Sequence, residues 1–205
     1  WDINMIRKLI DIKKNNKFII NAGKYNLKLL SKKDGTKNYL SWLNDKKTSE
    51  FTYRKNKIFN MKDVFKHIND NKKSTDTLLL GIFKINKHIG NLLTKKLKKK
   101  DYPKFLNKEK NIFEISTLID KKYWQKGVAK EATIYLADFI FKNFDTKIII
   151  FCCFENHFAS IIKSLSLGST ICGTKIINIK TTRKKIIFTK LTKTNFYKKN
   201  NIFFN

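Results

Sequence analysis

Little in this chain could build a metal centre or a disulfide framework. Three cysteines occur among 205 residues, and Cys152, Cys153 and Cys172 keep neither metal-ligand spacing nor the pattern of a disulfide scaffold. Cys152 and Cys153 stand side by side in an apolar run, which reads as buried free thiols in a reducing compartment. Arginine is scarce for so basic a chain: Arg7, Arg54 and Arg183 are the whole supply. No apolar run approaches the ~18 residues that a membrane-spanning helix requires. No signal-peptide pattern opens the chain, which starts on Trp1, and no internal repeat runs through it. The expectation is a soluble cytoplasmic protein with no metal and no membrane partner.

What is abundant is lysine. Lys and Arg total 45 against 16 Asp and Glu, a formal net charge of +29. Such an excess raises a nucleic-acid or ribosome partner. Phosphate and base recognition favour the arginine fork, however, and here nearly all the positive charge is lysine. Together with abundant Asn and Ile, the lysine excess points to AT-rich coding acting on solvated positions. Hydrophobic residues make up 41% of the chain and include 17 Phe, enough for the core of a single domain. Residues 17–191 are read as that domain, residues 1–16 as an N-terminal extension with the spacing of an amphipathic helix, and residues 192–205 as a basic, aromatic and mobile C-terminal tail.

In chain order, residues 17–30 look strand-like and are broken at Ala22-Gly23. Tyr39, Leu40, Trp42 and Leu43 give a short helix ended by Asn44-Asp45. Residues 46–60 are polar and irregular but carry Phe51, Tyr53 and Phe59, aromatics suited either to lining a site or to core packing. Residues 61–69 support a helix through Val64, Phe65 and Ile68. Two apolar runs, Thr77 to Ile85 and His88 to Leu93, form a hairpin around Asn86-Lys87. Residues 94–110, lysine-dense and holding Pro103, read as a solvated loop. The apolar run in residues 147–154 predicts a central strand, residues 157–167 a short helix closed by Gly168, and residues 171–179 and 184–191 a closing antiparallel pair.

The most informative stretch lies between those parts. Phe113-Glu114-Ile115-Ser116-Thr117-Leu118-Ile119 reads as a buried strand and residues 128–144 as a long amphipathic helix. Between them runs a turn containing Gly127. Unpaired N–H groups at a helix start, with the positive end of the helix dipole, make an anion site suited to a phosphate-bearing cofactor.

From Ile119 to Ala132 the residues (Asp120-Lys121-Lys122-Tyr123-Trp124-Gln125-Lys126-Gly127-Val128-Ala129-Lys130-Glu131 between them) resemble the strand, pyrophosphate loop and helix start of the GNAT superfamily of N-acetyltransferases. The likeness is to the branch related to ribosomal-protein N-terminal acetyltransferases (RimJ/RimL-like). Tyr39-Leu40-Ser41-Trp42-Leu43-Asn44-Asp45 resembles the first-helix pattern. His88-Ile89-Gly90-Asn91 is similar to a form frequent among acetyltransferases of nucleotide-linked amino sugars. Three departures stand out. Gln125 replaces the first glycine of the loop. Asn156-His157-Phe158-Ala159-Ser160 is one residue longer than the usual Asn-x-Ala-Ser, so either Asn156 or His157 takes the asparagine's place. No tyrosine near Ser164 matches the general acid of many relatives.

The resemblance implies an α/β (α+β) GNAT fold, with a mixed, mostly antiparallel sheet of about seven strands and four or more helices. It implies acetyl-CoA as co-substrate, held by backbone N–H groups of Gln125, Lys126, Gly127, Val128, Ala129 and Lys130, by the strand end at Leu118 and Ile119, and by Asn156. Glu114, an acid within an apolar strand, is the expected general base; its other reading is a solvent-facing glutamate paired with lysine. Direct transfer leaves Cys152 and Cys153 as core residues. The expected acceptor is a primary amine: a small molecule such as a nucleotide-linked amino sugar, or a protein N-terminus. A non-catalytic GNAT-like module binding RNA or ribosomes is the alternative of a different class. Oligomeric state is left open.

Overall fold

Near-continuous apolar runs fix the central strands, and side-chain caps start the helices at Lys37, Met61 and Lys193. The structure, a computed structural model, describes residues 3–15, 17–51, 57–179 and 182–203. Trp1, Tyr53 and Arg54, named above, lie outside the described residues. Eight strands follow the hydrogen-bonded order β1-β2-β3-β4-β5-β6-β8-β7, one more than expected, and seven α-helices accompany them among the described residues. The chain divides into two compact units.

The first unit takes residues 1–95 and 117–136. Helix α1 (Ile3–Lys14) precedes the hairpin of β1 (Ile19–Ala22) and β2 (Tyr25–Leu29). The extra strand arises here. Ala22 pairs with Tyr25 across Gly23, whose φ of +59° suits the tight reversal and which an L side chain would take up only with strain. Helix α2 (Lys37–Asn44) is capped by Thr36, which accepts from the Tyr39 N–H. A four-residue α3 (Lys46–Ser49) follows. Helix α4 (Met61–Lys73) starts with a reciprocal Asn60–Asp63 box and runs four residues beyond the expected end, because its polar second half still forms complete turns. Its Val64 and Ile68 join Leu30, Tyr39, Trp42, Leu79 and Phe83 in one buried cluster, against which Leu118 packs.

Strands β3 (Thr77–Lys84) and β4 (Lys87–Lys96) pair through Lys84↔Lys87, so the turn is Ile85–Asn86 rather than Asn86–Lys87. Ile85 holds φ +56°, a conformation rare for a β-branched residue. The unit ends with the last residues of β5 (Phe113–Ile119) and the first half of α5 (Val128–Asn143).

The second unit takes residues 96–116 and 137–205. The loop read as solvated is anchored here: Leu106 is buried and the Leu97 N–H bonds the Ile112 carbonyl at 2.9 Å. β5 pairs in parallel with β6 (Ile148–Phe154) through Phe113↔Ile149 and Glu114↔Ile150, the first two residues of β5. β6 pairs antiparallel with β8 (Thr182–Thr192) along its whole length, and β7 (Thr170–Ile179) pairs on β8 with a bulge between Ile171 and Gly173. Helix α6 (Phe158–Ser166) stands between β6 and β7 in the chain. Residues 193–200, expected to be mobile tail, form helix α7 (Lys193–Asn200), capped by Thr192. Phe196 is fully buried with its ring 5.4 Å from that of Phe141, and Asn200 donates to the Leu167 carbonyl. Tertiary burial, not helix propensity, makes this segment helical.

Candidate active site

In the first unit the loop between β5 and α5 is built by a succession of caps. Asp120, buried, receives the Lys122 N–H at 3.0 Å and donates its own N–H to the Ile89 carbonyl. The Trp124 indole N–H bonds the Ile119 carbonyl at 2.9 Å, tying the loop back to the strand end. Gly90 lets that strand approach: a Cβ there would stand 2.7 Å from the Leu118 carbonyl oxygen.

The chain then enters α5 through two left-handed residues, Gln125 at φ +59° and Gly127 at φ +75°. Gln125 therefore adopts the backbone that a glycine would supply at the same place, at a cost of about 1–2 kcal/mol for an L residue. The first α5 bond runs from the Glu131 N–H to the Gly127 carbonyl. Among the described residues none accepts a hydrogen bond from the backbone N–H groups of Gln125, Lys126, Gly127, Val128, Ala129 or Lys130. A Cβ at Gly127 would meet nothing within 4 Å. Unpaired amides, alternating backbone hand and the helix dipole together form an anion cradle. Lys126 is less free than expected, since its ammonium bonds the Lys122 carbonyl at 2.8 Å and lies over the Tyr123 ring.

Two features of this unit were not read from the sequence. Glu131 reaches back to accept the Lys24 N–H at 3.2 Å, fastening α5 to the β1–β2 turn; an acid in a first helical turn was visible, but its long-range partner was not. On β4, the pairs Ile82↔Gly90 and Phe83↔His88 leave Ile89 as an extra residue, a bulge that re-aims its neighbours. His88 Nε2 thereby comes 2.7 Å from Asn91 Oδ1. The His88 ring stacks on Phe83 and meets Trp42 and Tyr39 edge-on. Burial lowers its pKa, against the opposing pull of Asn91 and Asp34. His67, by contrast, lies within α4, where the Asn71 amide donates to its carbonyl at 2.9 Å.

In the second unit, Glu114 is half-buried on β5 and accepts the Cys152 thiol at 3.2 Å. It forms no ion pair with lysine among the described residues. Burial first, and the Glu114 carboxylate second, push the Cys152 thiol far up, and burial also raises Cys153 and Cys172. All three cysteines stay protonated near neutrality and offer no thiolate nucleophile. Asn156 is exposed in the turn before α6, and His157 is the residue at the helix N-cap. Ser164 is buried and bonds the Ile161 carbonyl within its own helix. Phe59 is also internal, with both its backbone groups held by the Asn44 amide.

A family model for the acetyltransferase (GNAT) domain matches residues 26–168, well over half of the chain. The chain belongs to the GNAT acetyltransferase family. It is an N-acetyltransferase with acetyl-CoA as its acyl donor. Among curated proteins none matches it. Solved structures share its fold. A GNAT-family acetyltransferase from Bacillus anthracis is 18% identical, with 85% of this chain and 98% of that one covered and a TM-score of 0.71. RimL, the ribosomal L7/L12 α-N-protein acetyltransferase, in complex with coenzyme A, is 13% identical, with 85% and 98% covered and a TM-score of 0.72. The microcin C7 self-immunity acetyltransferase MccE, in complex with acetyl-CoA and AMP, is 16% identical, with 84% and 94% covered and a TM-score of 0.67. At these identities the likeness is one of fold. Among the described residues of this GNAT acetyltransferase no helix is long and apolar enough to cross a membrane, and no three His, Cys, Asp or Glu side chains group as metal ligands.

Proposed function

We propose that this acetyltransferase moves the acetyl group to a small primary amine by direct attack on the thioester, and that the loop before α5 holds the donor's diphosphate. The observation behind this reading is the run of unpaired N–H groups from Gln125 to Lys130, entered through Gln125 and Gly127 in left-handed conformations. A plain reversal of the chain needs only one of these. Lys126 and Lys130 add positive charge beside the cradle. Leu118 and Ile119 offer extended backbone to the amide-bearing pantetheine arm, and the Leu118 N–H polarises the thioester carbonyl as negative charge develops there. Asn156, in the turn before α6, serves the same arm.

Glu114 accepts the proton that the amine loses. As the nitrogen–carbon bond forms, the carbon–sulfur bond breaks and coenzyme A leaves as its thiolate. The carboxylate meets the Cys152 thiol rather than a lysine ammonium, so no ion pair occupies it.

Two features support a small, phosphate-bearing acceptor such as a nucleotide-linked amino sugar: the His88-Ile89-Gly90-Asn91 pattern, and the fold likeness to MccE, whose structure holds AMP beside acetyl-CoA. The fold likeness to RimL supports a protein N-terminus as the second reading. The deciding experiment is a panel of amine acceptors, nucleotide-linked amino sugars and N-terminal peptides, followed by release of the coenzyme A thiol. Turnover on any amine that is lost in Glu114→Gln supports the reading. Binding of acetyl-CoA with no turnover on any acceptor favours a GNAT-like RNA- or ribosome-binding module instead.

A further inference from the structure

Away from the loop before α5, the first unit carries a half-open concavity of about 760 Å³, within the range of small-molecule sites. Five lysines converge on it from five places in the fold: Lys13 on α1, Lys17 ahead of β1, Lys28 on β2, Lys33 in the following 3-10 turn and Lys72 on α4. Its one carboxylate, Asp34, is already held by the Ser31 N–H and hydroxyl. Lys17, Lys28, Lys33 and Lys72 have no carboxylate partner among the described residues. Lys13 is half-buried and gives its ammonium to the Asn71 and Ser74 carbonyls, and burial lowers its pKa to about 8 against the pull of Asp76, so it stands behind the rim already partnered. The floor is apolar, formed by Leu30, Leu79 and Phe83, and Lys28 lies over the Phe83 ring at 5.3 Å.

Like charges around an apolar concavity reinforce one another's field, and their mutual repulsion is relieved when a multiply charged anion enters. An inorganic anion would satisfy the rim and leave the apolar floor uncovered. A fatty acid would fill the floor and meet the rim with a single charge. We propose that this cavity is a second binding site, for a nucleoside polyphosphate, with its phosphates among the rim lysines and its base over the Phe83 side of the floor. No residue of the acetyl-donor loop lines it, so the site is distinct from the donor cradle.

The test is calorimetry on the full chain with ADP, pyrophosphate and adenosine as probes, without acetyl-CoA. Variants are the triple substitution K17Q/K33Q/K72Q, three exposed side chains, and Gly127→Ala at the donor loop. The expected result is that ADP binds this cavity more tightly than either fragment, that the triple variant binds it there at least tenfold more weakly, and that Gly127→Ala keeps the cavity site while losing only ADP held at the donor loop. Amide hydrogen exchange on the parent protein supplies a readout independent of any variant. ADP should protect residues 28–34 and 68–72. Absence of ADP binding, pyrophosphate as tight as ADP, weakening by Gly127→Ala alone, or protection only at residues 125–130 would each overturn the proposal.

Discussion

Replacing Gly127 with alanine separates a plain turn glycine from a phosphate cradle. The residue sits at φ +75° with open space where a Cβ would go, so no neighbour resists the methyl group. Strain from the left-handed backbone costs about 1–2 kcal/mol, and the lost freedom of the unfolded chain returns about 0.4–1 kcal/mol. The net cost is about 1 kcal/mol, or a fall of about 2–4 °C in melting temperature at this chain length. The effect on coenzyme A should be larger. A hydrogen bond to a charged group contributes about 1.5–3 kcal/mol. If the methyl group holds the diphosphate off one or two amides, affinity falls at least about tenfold, since about 1.4 kcal/mol is a factor of ten. Calorimetry with coenzyme A, beside a thermal melt of the free protein, measures both. A melting temperature that drops while the coenzyme A Kd stays within a factor of about two would refute the cradle and leave a turn glycine.

Other expectations follow from single side chains. Glu114→Gln should lower kcat/KM by about 10²–10⁴, the usual worth of a general base, with coenzyme A affinity retained; full activity in thiol-release assays removes Glu114 from that role. Phe196→Ala empties a fully buried site against Phe141 and should destabilise by about 3–5 kcal/mol in urea unfolding; an unchanged midpoint would show that α7 is dispensable. His88 has a folded-state pKa below its unfolded value. The unfolded chain therefore takes up the proton first, and His88's contribution to stability is intact above about pH 6.5 and lost as pH falls from there through the folded pKa. Urea midpoints at pH 7.5 and 5 should diverge more for the parent than for His88→Gln, and equal divergence would contradict this.

The parts legible in the sequence were those whose own pattern decides their structure. The apolar run of β6, the amphipathic α5 and the strand carrying Glu114 needed no outside partner to be read. Where distant contacts decide, the sequence was silent. Lys193–Asn200 has the composition of a tail, yet Phe196 finds Phe141 and the segment becomes a helix. Nothing local marks Ile85 for a left-handed turn, and the preference of Asn for such turns pointed one residue too far along. Within the candidate site, the replacement of glycine by Gln125 was plain in the sequence, but its retention of a glycine-like backbone was not. The His88–Asn91 contact depends on a bulge at Ile89, and an i, i+3 spacing on a regular strand would have placed the pair on opposite faces.

The most direct measurement is a crystal structure of the protein with coenzyme A. The diphosphate oxygens should lie within hydrogen-bonding distance, about 2.7–3.2 Å, of backbone nitrogens between Gln125 and Lys130. A diphosphate bound elsewhere, or those amides bonded within the protein while coenzyme A is present, would contradict the account.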